Sequence, residues 1–326
     1  MKKRINAGII GGAGYTGGET LRLLINHDLV HVRFSHSLSQ TGKLVSDVHT
    51  DLLGETTLRF SDGETESADV LFLCLGHGEA KKYLASNPPK EDMKIIDLSQ
   101  DHRLTVGKGV QSWTYGLPEL NREAIAKSTK VSNPGCFATC IQLALLPLAY
   151  GSHLNADMHV SATTGSTGAG QNPTADTHFS WRQNNLSPYK VFTHQHLPEI
   201  RQSLLKLQPD LVNEIHFVPL RGSFTRGILA GIYLETDLSI DQALELYKAY
   251  YANHPFVHIS EKVIDLKQVI NTNKCILHLE KQGTRLLITG IIDNLLKGAS
   301  GQAVQNMNLM FGFAENSGLK LKASAF

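Results

Sequence analysis

The chain has 326 residues, 31 Lys and Arg against 30 Asp and Glu, and a formal net charge of +1. That length accommodates two domains of ordinary size, each with its own core, and the balanced charge with no long basic run argues against nucleic acid or an anionic membrane as partner. The opening Met1-Lys2-Lys3-Arg4 is charged like a signal peptide, but the apolar run behind it stops at glycines, so a first strand is expected and no secretion signal or membrane span. Cys74, Cys136, Cys140 and Cys275 form no Cys-x-x-Cys pair and the fifteen histidines no His-Glu-x-x-His pattern, so reduced thiols in the cytoplasm are expected and no metal site.

Ile5 to Ile10 reads as a strand covered on both faces, running directly into Gly11-Gly12-Ala13-Gly14-Tyr15-Thr16-Gly17-Gly18 and the helical pattern from Glu19 to Ile25. Strand, glycine turn, helix is the context in which Gly11, Gly14 and Gly17 let backbone N–H groups approach a pyrophosphate; the alternative is a tight turn without a ligand. Gly11, Gly14, Tyr15, Thr16 and Gly17 are therefore candidate cofactor contacts. A second strand, about Val30 to Phe34, ends in Ser35-His36-Ser37 with no carboxylate, which favours the 2′-phosphate of NADP(H) over the free ribose of NAD unless these residues are simply an exposed loop. Ser35 is the candidate there. Ala68 to Leu75 is another buried strand, and its turn at Gly76-His77-Gly78 stands where a doubly wound sheet places its ligand, making Gly76 a further candidate before a helix from about Glu79 to Ser86. Met93 to Ser99 makes the next strand, followed by Arg103, either a clamp for phosphate or carboxylate or a surface residue.

Ser132-Asn133-Pro134-Gly135 is a turn and helix-start signal, so Cys136 is expected in the first turn of a buried helix, where the helix dipole favours a thiolate; the alternative is a small core residue. Cys140, one turn on, is expected to face the core and stay inert. Beyond this helix the pattern becomes α+β with a mixed or antiparallel sheet, from strands near Val160 to Thr164, Ile215 to Leu220, Ile228 to Glu235 and Leu286 to Ile292. Gly165 to Gly170, which includes Gly168, is an active-site loop or a short linker. His194-Gln195-His196-Leu197-Pro198-Glu199 starts a helix, and either histidine is a candidate acid/base for a cysteine nucleophile, with Glu199 orienting His196 or only complementing the helix dipole.

In order and content, Gly11–Gly18, 96–104, 115–120, 132–136, 164–170, 194–200, 218–228 and 293–308 resemble the N-acetyl-gamma-glutamyl-phosphate reductase family, within the aspartate-semialdehyde dehydrogenase superfamily. The resemblance implies a Rossmann-type dinucleotide-binding domain of residues 1–134 plus 296–326, with an inserted α+β catalytic and dimerisation domain of residues 135–295. It implies NADPH-dependent reduction of an acyl phosphate in arginine biosynthesis, with release of inorganic phosphate and Cys136 as the nucleophile forming a thioester. His196, with His194 as substitute, is then the acid/base and Glu199 its orienter; Arg103, Asn133 and Arg226 contact substrate, and Asn294 and Lys297 belong to the turn beside the nicotinamide. A homodimer or homotetramer through the second sheet is expected. Relatives acting on aspartyl or aminoadipyl phosphate, and a non-catalytic NADP-binding sensor, are the alternatives. His102 before the arginine, Val106 to Trp113 and Gln171 to Tyr189 depart from the family pattern at the substrate end, which leaves the acyl group open between acetyl, succinyl and carrier-linked forms.

Overall fold

The computed structural model describes residues 4–62, 67–104 and 113–324, so residues 106–112 of the divergent stretch before Tyr115 lie outside the described residues. Contacts divide the chain into one unit of Met1–Gly135 with Ala299–Lys320 and a second of Cys136–Gly298 with Leu321–Phe326. The sequence reading assigned all of 296–326 to the first unit, whereas the tail groups with the second. Two hydrogen bonds account for this: the Ser324 N–H donates to the Ile270 carbonyl at 3.2 Å, and Asn271 Nδ2 to the Lys322 carbonyl at 3.4 Å.

The first unit holds strands β1 (Ile5–Ile10), β2 (Val30–His36), β3 (Phe60–Ser61), β4 (Val70–Leu73), β5 (Lys94–Asp97), β6 (Thr114–Tyr115) and β7 (Lys130–Ser132). They pair in the order β3-β2-β1-β4-β5-β7-β6, all in parallel. Parallel neighbours need crossovers, and helices α1 (Tyr15–Ile25), α2 (Val45–Val48), α3 (Glu79–Ser86) and α4 (Pro118–Lys127) lie within them. The central strand β4 is covered on both faces and apolar: every residue of it is buried, and Leu71 and Leu73 pack among Ile10, Phe34, Met93 and Ile95. Strand order reverses between β1 and β4, so the turns leaving those two strands flank the topological switch point. A last helix, Gly301–Met310, completes this unit. Its Asn306 amide donates to the Gly116 carbonyl at 2.9 Å and to Asn133 Oδ1 at 3.1 Å.

The second unit holds β8 (Met158–Thr164), β9 (Ser187–Pro188), β10 (Ile215–Arg221), β11 (Ile228–Glu235), β12 (Val257–Ser260), β13 (Cys275–Gln282) and β14 (Arg285–Ile292) in the order β12-β13-β14-β11-β8-β10-β9. Its sheet is mixed: β8 with β10 and β12 with β13 are parallel, the other pairs antiparallel. Helix α5 (Cys136–Tyr150) lies on β11 and β14 and packs against α7 (Leu197–Leu207) and α8 (Ile240–Tyr251), while the short α6 (Phe179–Arg182) precedes β9.

Helix α5 is apolar on all sides and nearly every residue in it is buried, which explains why its sequence shows no amphipathic stripe. Pro147 inside it has no N–H to offer the Leu143 carbonyl one turn back. The Tyr251 hydroxyl donates to that carbonyl at 2.5 Å, and Tyr247 does the same for Ala144 at 2.5 Å. Each such bond contributes about 1 kcal/mol, and α8 thereby fixes the helix that carries Cys136. Among the described residues no helix is long and apolar enough to cross a membrane.

Candidate active site

In the first unit, β1 ends and the chain turns at Gly11, where φ is +81° and an added Cβ would meet the Cys74 carbonyl oxygen at 2.4 Å. Gly17 is equally constrained, because its Cβ would lie 2.4 Å from the Gly11 carbonyl oxygen. Gly14 differs: its Cβ would meet only the Gly11 carbonyl oxygen, at an ordinary 3.6 Å. Protein packing does not require glycine there, and the space left open lets a ligand approach the backbone. Gly14 is also the N-cap of α1, whose first turn has no side-chain cap, so the N–H groups of Tyr15, Thr16 and Gly17 are the donors such a helix start presents to an anion. Thr16 is tied down by Ser300 Oγ, which donates to its carbonyl at 2.8 Å. Gly76 is exposed in the turn after β4. These residues fit a dinucleotide pyrophosphate.

Ser35 is fully buried, and an added Cβ on Gly12 would lie 1.9 Å from its Oγ, so its hydroxyl lies against the glycine turn. The strand runs two residues further than expected, to His36, whose carbonyl accepts from both Gly11 and Gly12 N–H at 3.1 and 3.0 Å.

In the second unit, Cys136 is the first residue of α5 and is partly exposed, while Cys74, Cys140 and Cys275 are buried. Burial above all, with the neighbouring thiols Cys275 and Cys136 adding to it, pushes the Cys140 thiol well up, as its place one turn into the core requires. The turn 293–298 reaches back to Cys136: an added Cβ on Gly298 would lie 2.8 Å from Cys136 Cβ, and the Gly298 N–H donates to the Asp293 carbonyl at 2.9 Å.

The two histidines stand beside the start of α5. Phe137, next to the thiol, meets the His194 ring edge-on at 5.5 Å and that of His196 at 6.3 Å, and the histidine rings are 4.6 Å apart. His194 Nδ1 accepts from the His196 N–H at 3.3 Å, and Glu199 Oε1 stands 3.8 Å from His196 Nε2. Tyr189 lies 5.7 Å from His194, ring to ring. The segment joining them carries Lys190 and Phe192 at φ +46° and +58°, backbone strain of about 1–3 kcal/mol each that surrounding contacts must impose. The Tyr189 and Phe192 N–H groups donate to the Pro219 and Phe217 carbonyls, which hold the segment along β10.

Burial first, then the Lys190 charge, lowers the His194 pKa from 6.5 to about 4. The folded chain thus binds fewer protons than the unfolded one between those values, so His194 stabilises the fold above pH 6.5 and that contribution is lost as pH falls towards 4. The shift is worth about 3 kcal/mol. Urea unfolding at about pH 7.5 and about pH 5 should show a smaller acid-induced loss in His194→Gln than in the parent; equal losses would refute this assignment. His27, His36, His49 and His258, also held low mainly by burial, leave a residual loss of the same sign.

Several polar residues expected to touch ligands are instead occupied within the protein. Arg103 is buried, donating from Nε to the Asn133 carbonyl and from Nη2 to the Leu98 carbonyl, both at 2.9 Å. Asn133 donates to the Ala299 carbonyl at 3.0 Å while its Oδ1 accepts from Asn306. Asn294 accepts from the Gly227 N–H at 2.7 Å and donates to Thr167 Oγ1 at 3.0 Å, which positions the loop containing Gly168. Arg226 forks onto the buried Asp293 at 3.0 and 3.1 Å. That carboxylate also accepts from the N–H groups of Asn271, Leu295 and Leu296 and so shapes the turn against Cys136. Lys297 is fully buried, 5.9 Å from the Phe256 ring centroid. Gly298 and Arg221 fall inside the 293–308 and 218–228 blocks but were not singled out there, and Tyr189 closes the divergent stretch from Gln171.

Residues 6–128 match the family model for the semialdehyde dehydrogenase NAD binding domain, and residues 136–294 that for the semialdehyde dehydrogenase dimerisation domain. The second match starts at Cys136, where the contact-defined second unit also starts. N-acetyl-gamma-glutamyl-phosphate reductases of Bacteroides thetaiotaomicron and Phocaeicola vulgatus are 56% and 57% identical over 323 residues, covering 99% of this chain and 100% of each relative. The chain belongs to the N-acetyl-gamma-glutamyl-phosphate reductase family. A family member from Christiangramia forsetii is 52% identical over 322 residues. The family's fold is also that of more distant solved structures. Aspartate semialdehyde dehydrogenase II of Vibrio cholerae, solved with ASA, superposes with a TM-score of 0.76 at 17% identity, covering 95% of this chain and 99% of that one. The Candida albicans aspartate semialdehyde dehydrogenase solved with NADP gives 0.72 at 13% identity, covering 96% and 99%.

Proposed function

We propose that this chain reduces an N-acyl-gamma-glutamyl phosphate to the N-acyl-glutamate 5-semialdehyde with release of inorganic phosphate, the reductive step of arginine biosynthesis. The observation that carries the reading is the partly exposed thiol at the first residue of α5, beside a buried histidine pair, in a chain whose other cysteines are buried. Gly11, Gly14, Tyr15, Thr16, Gly17 and Gly76 would hold NADP(H), which when bound supplies the hydride that reduces the thioester.

Cys136 attacks the acyl phosphate carbonyl, favoured as a thiolate by the positive end of α5; the carbon–oxygen bond to phosphate breaks and a thioester remains. His196 accepts the thiol proton and passes it to the departing phosphate. When the reduced adduct collapses, the aldehyde leaves and the same imidazole relays a proton from solvent to sulfur. His196 is preferred to His194 because Glu199 stands by its Nε2, whereas burial holds His194 neutral near pH 7. The neutral His194 supports its partner by accepting the His196 N–H. A homodimer or homotetramer assembled through the second unit, in the cytoplasm, completes the reading, with the dimerisation-domain match as its support.

The test runs the reaction backwards, following phosphate-dependent NADPH formation from N-acetylglutamate semialdehyde, N-succinylglutamate semialdehyde and aspartate semialdehyde. An N-acylglutamate semialdehyde should be preferred, and preference for aspartate semialdehyde would overturn the assignment. His196→Ala should lower kcat by about 10²-fold or more, within the range of general acid–base catalysis. A larger loss in His194→Ala would reverse the roles.

A further inference from the structure

Arg221, the last residue of β10, has an unusual place for a guanidinium. Its side chain is only 11% exposed, and its one ion pair among the described residues runs from Nη1 to Asp176 Oδ2 at 3.0 Å, a carboxylate that is itself 57% exposed. Its Nε is buried and makes no hydrogen bond among the described residues. A buried arginine donor without an acceptor is costly, and a planar anion that fills the fork removes that cost. Arg182, its neighbour, shows the contrast: it donates to the carbonyls of Asp176, Asn185 and Arg221 and to Ser187 Oγ, a structural role throughout.

The position of Arg221 is tied to the thiol by Tyr189. The guanidinium carbon lies 4.7 Å from the Tyr189 ring centroid, and that ring is 5.7 Å from His194. Burial chiefly, and next the charge of Cys136, push the Tyr189 hydroxyl up to about 12, while the charge of Arg221 and its side-chain hydrogen bond to this phenol lower it, so the phenol lies within reach of both groups. The two arginines expected to meet substrate are engaged elsewhere: Arg226 has its fork on Asp293, and Arg103 donates to the Asn133 and Leu98 carbonyls.

We propose that Arg221, seated on the Tyr189 ring, anchors a carboxylate of the substrate that is retained through the reaction, and not the phosphate that leaves. This rests on the proposed function, in which the substrate always carries the glutamyl α-carboxylate and, with a dicarboxylic acyl group, a second carboxylate. The anchor sets the distance from that carboxylate to the carbonyl that Cys136 attacks.

The experiment measures KM and kcat of the reverse reaction for Arg221→Met, Arg221→Lys and Asp176→Asn with N-acetyl- and N-succinylglutamate semialdehyde, phosphate and NADP. Arg221→Met should raise the semialdehyde KM by about 10- to 10²-fold, the loss of a charge-assisted hydrogen bond, with little change in kcat or in the KM of phosphate and NADP. Arg221→Lys should recover part of it, since lysine keeps the charge without the fork. An equal rise with both semialdehydes assigns the α-carboxylate, and a rise confined to the succinyl substrate assigns the acyl carboxylate; either supports the anchor. An unchanged semialdehyde KM, a raised phosphate KM in its place, or the same defect in Asp176→Asn would overturn it. Should the parent enzyme turn over neither semialdehyde, the proposed function itself fails, an outcome distinct from an active parent with an indifferent Arg221→Met.

Discussion

Cys136→Ser should abolish phosphate-dependent NADPH formation, with a loss in kcat of at least about 10⁴-fold, while NADPH affinity by fluorescence titration stays essentially unchanged. A hydroxyl at the same helix start has too high a pKa to supply the anion that the helix dipole favours in a thiol. The side chain is partly exposed at the first residue of α5, so the replacement costs little packing. Alkylation of the native protein should label Cys136 first and be slowed by bound acyl phosphate. A serine variant with wild-type rates, or preferential labelling of Cys140, would remove the thioester mechanism.

The second large effect is expected from a residue with no chemistry of its own. In Gly298→Ala the new methyl would stand 2.8 Å from Cys136 Cβ and 3.2 Å from its Cα, and the Asp293 carbonyl oxygen at 3.3 Å closes another side. The atoms it meets include helix backbone, and α5 is held by α7, α8 and the sheet beneath, so the thiol or the turn must shift. A displacement near 1 Å at a reacting group costs about 10²-fold in rate. We therefore expect kcat to fall by about that factor, with NADPH affinity retained and a changed rate of Cys136 alkylation. Unchanged turnover in a folded Gly298→Ala protein would show that the turn does not position the nucleophile.

Much of the fold was legible because its signals are local. Ile5–Ile10 is apolar because a parallel strand is covered on both faces, and the glycine turn behind it follows from a positive φ at Gly11 and the contact of Gly17 with Gly11. The helix start at Cys136 was written in the Ser-Asn-Pro-Gly that precedes it. Strands β12 and β13 and helix α8 were harder to read, since their faces depend on neighbours distant in sequence. The polar residues divide in the same way. Asn133, Asn294, Arg103 and Arg226 stand in loops between elements, where a polar side chain signals a ligand contact or an internal bond with equal force.

By itself, then, the sequence determined where strands turn into helices and which thiol begins one, because backbone conformation, helix dipoles and apolar periodicity act over a few residues. Only the tertiary structure decided which polar groups face inward to hold the turns and which are left with a donor unpaired. The sheet order β8-β10-β9 brings Arg221 and Tyr189 together, and the return of the 293–298 turn sets Gly298 against Cys136. Those pairings join residues tens to more than a hundred positions apart, and whether a buried donor finds its acceptor is settled only when such segments pack.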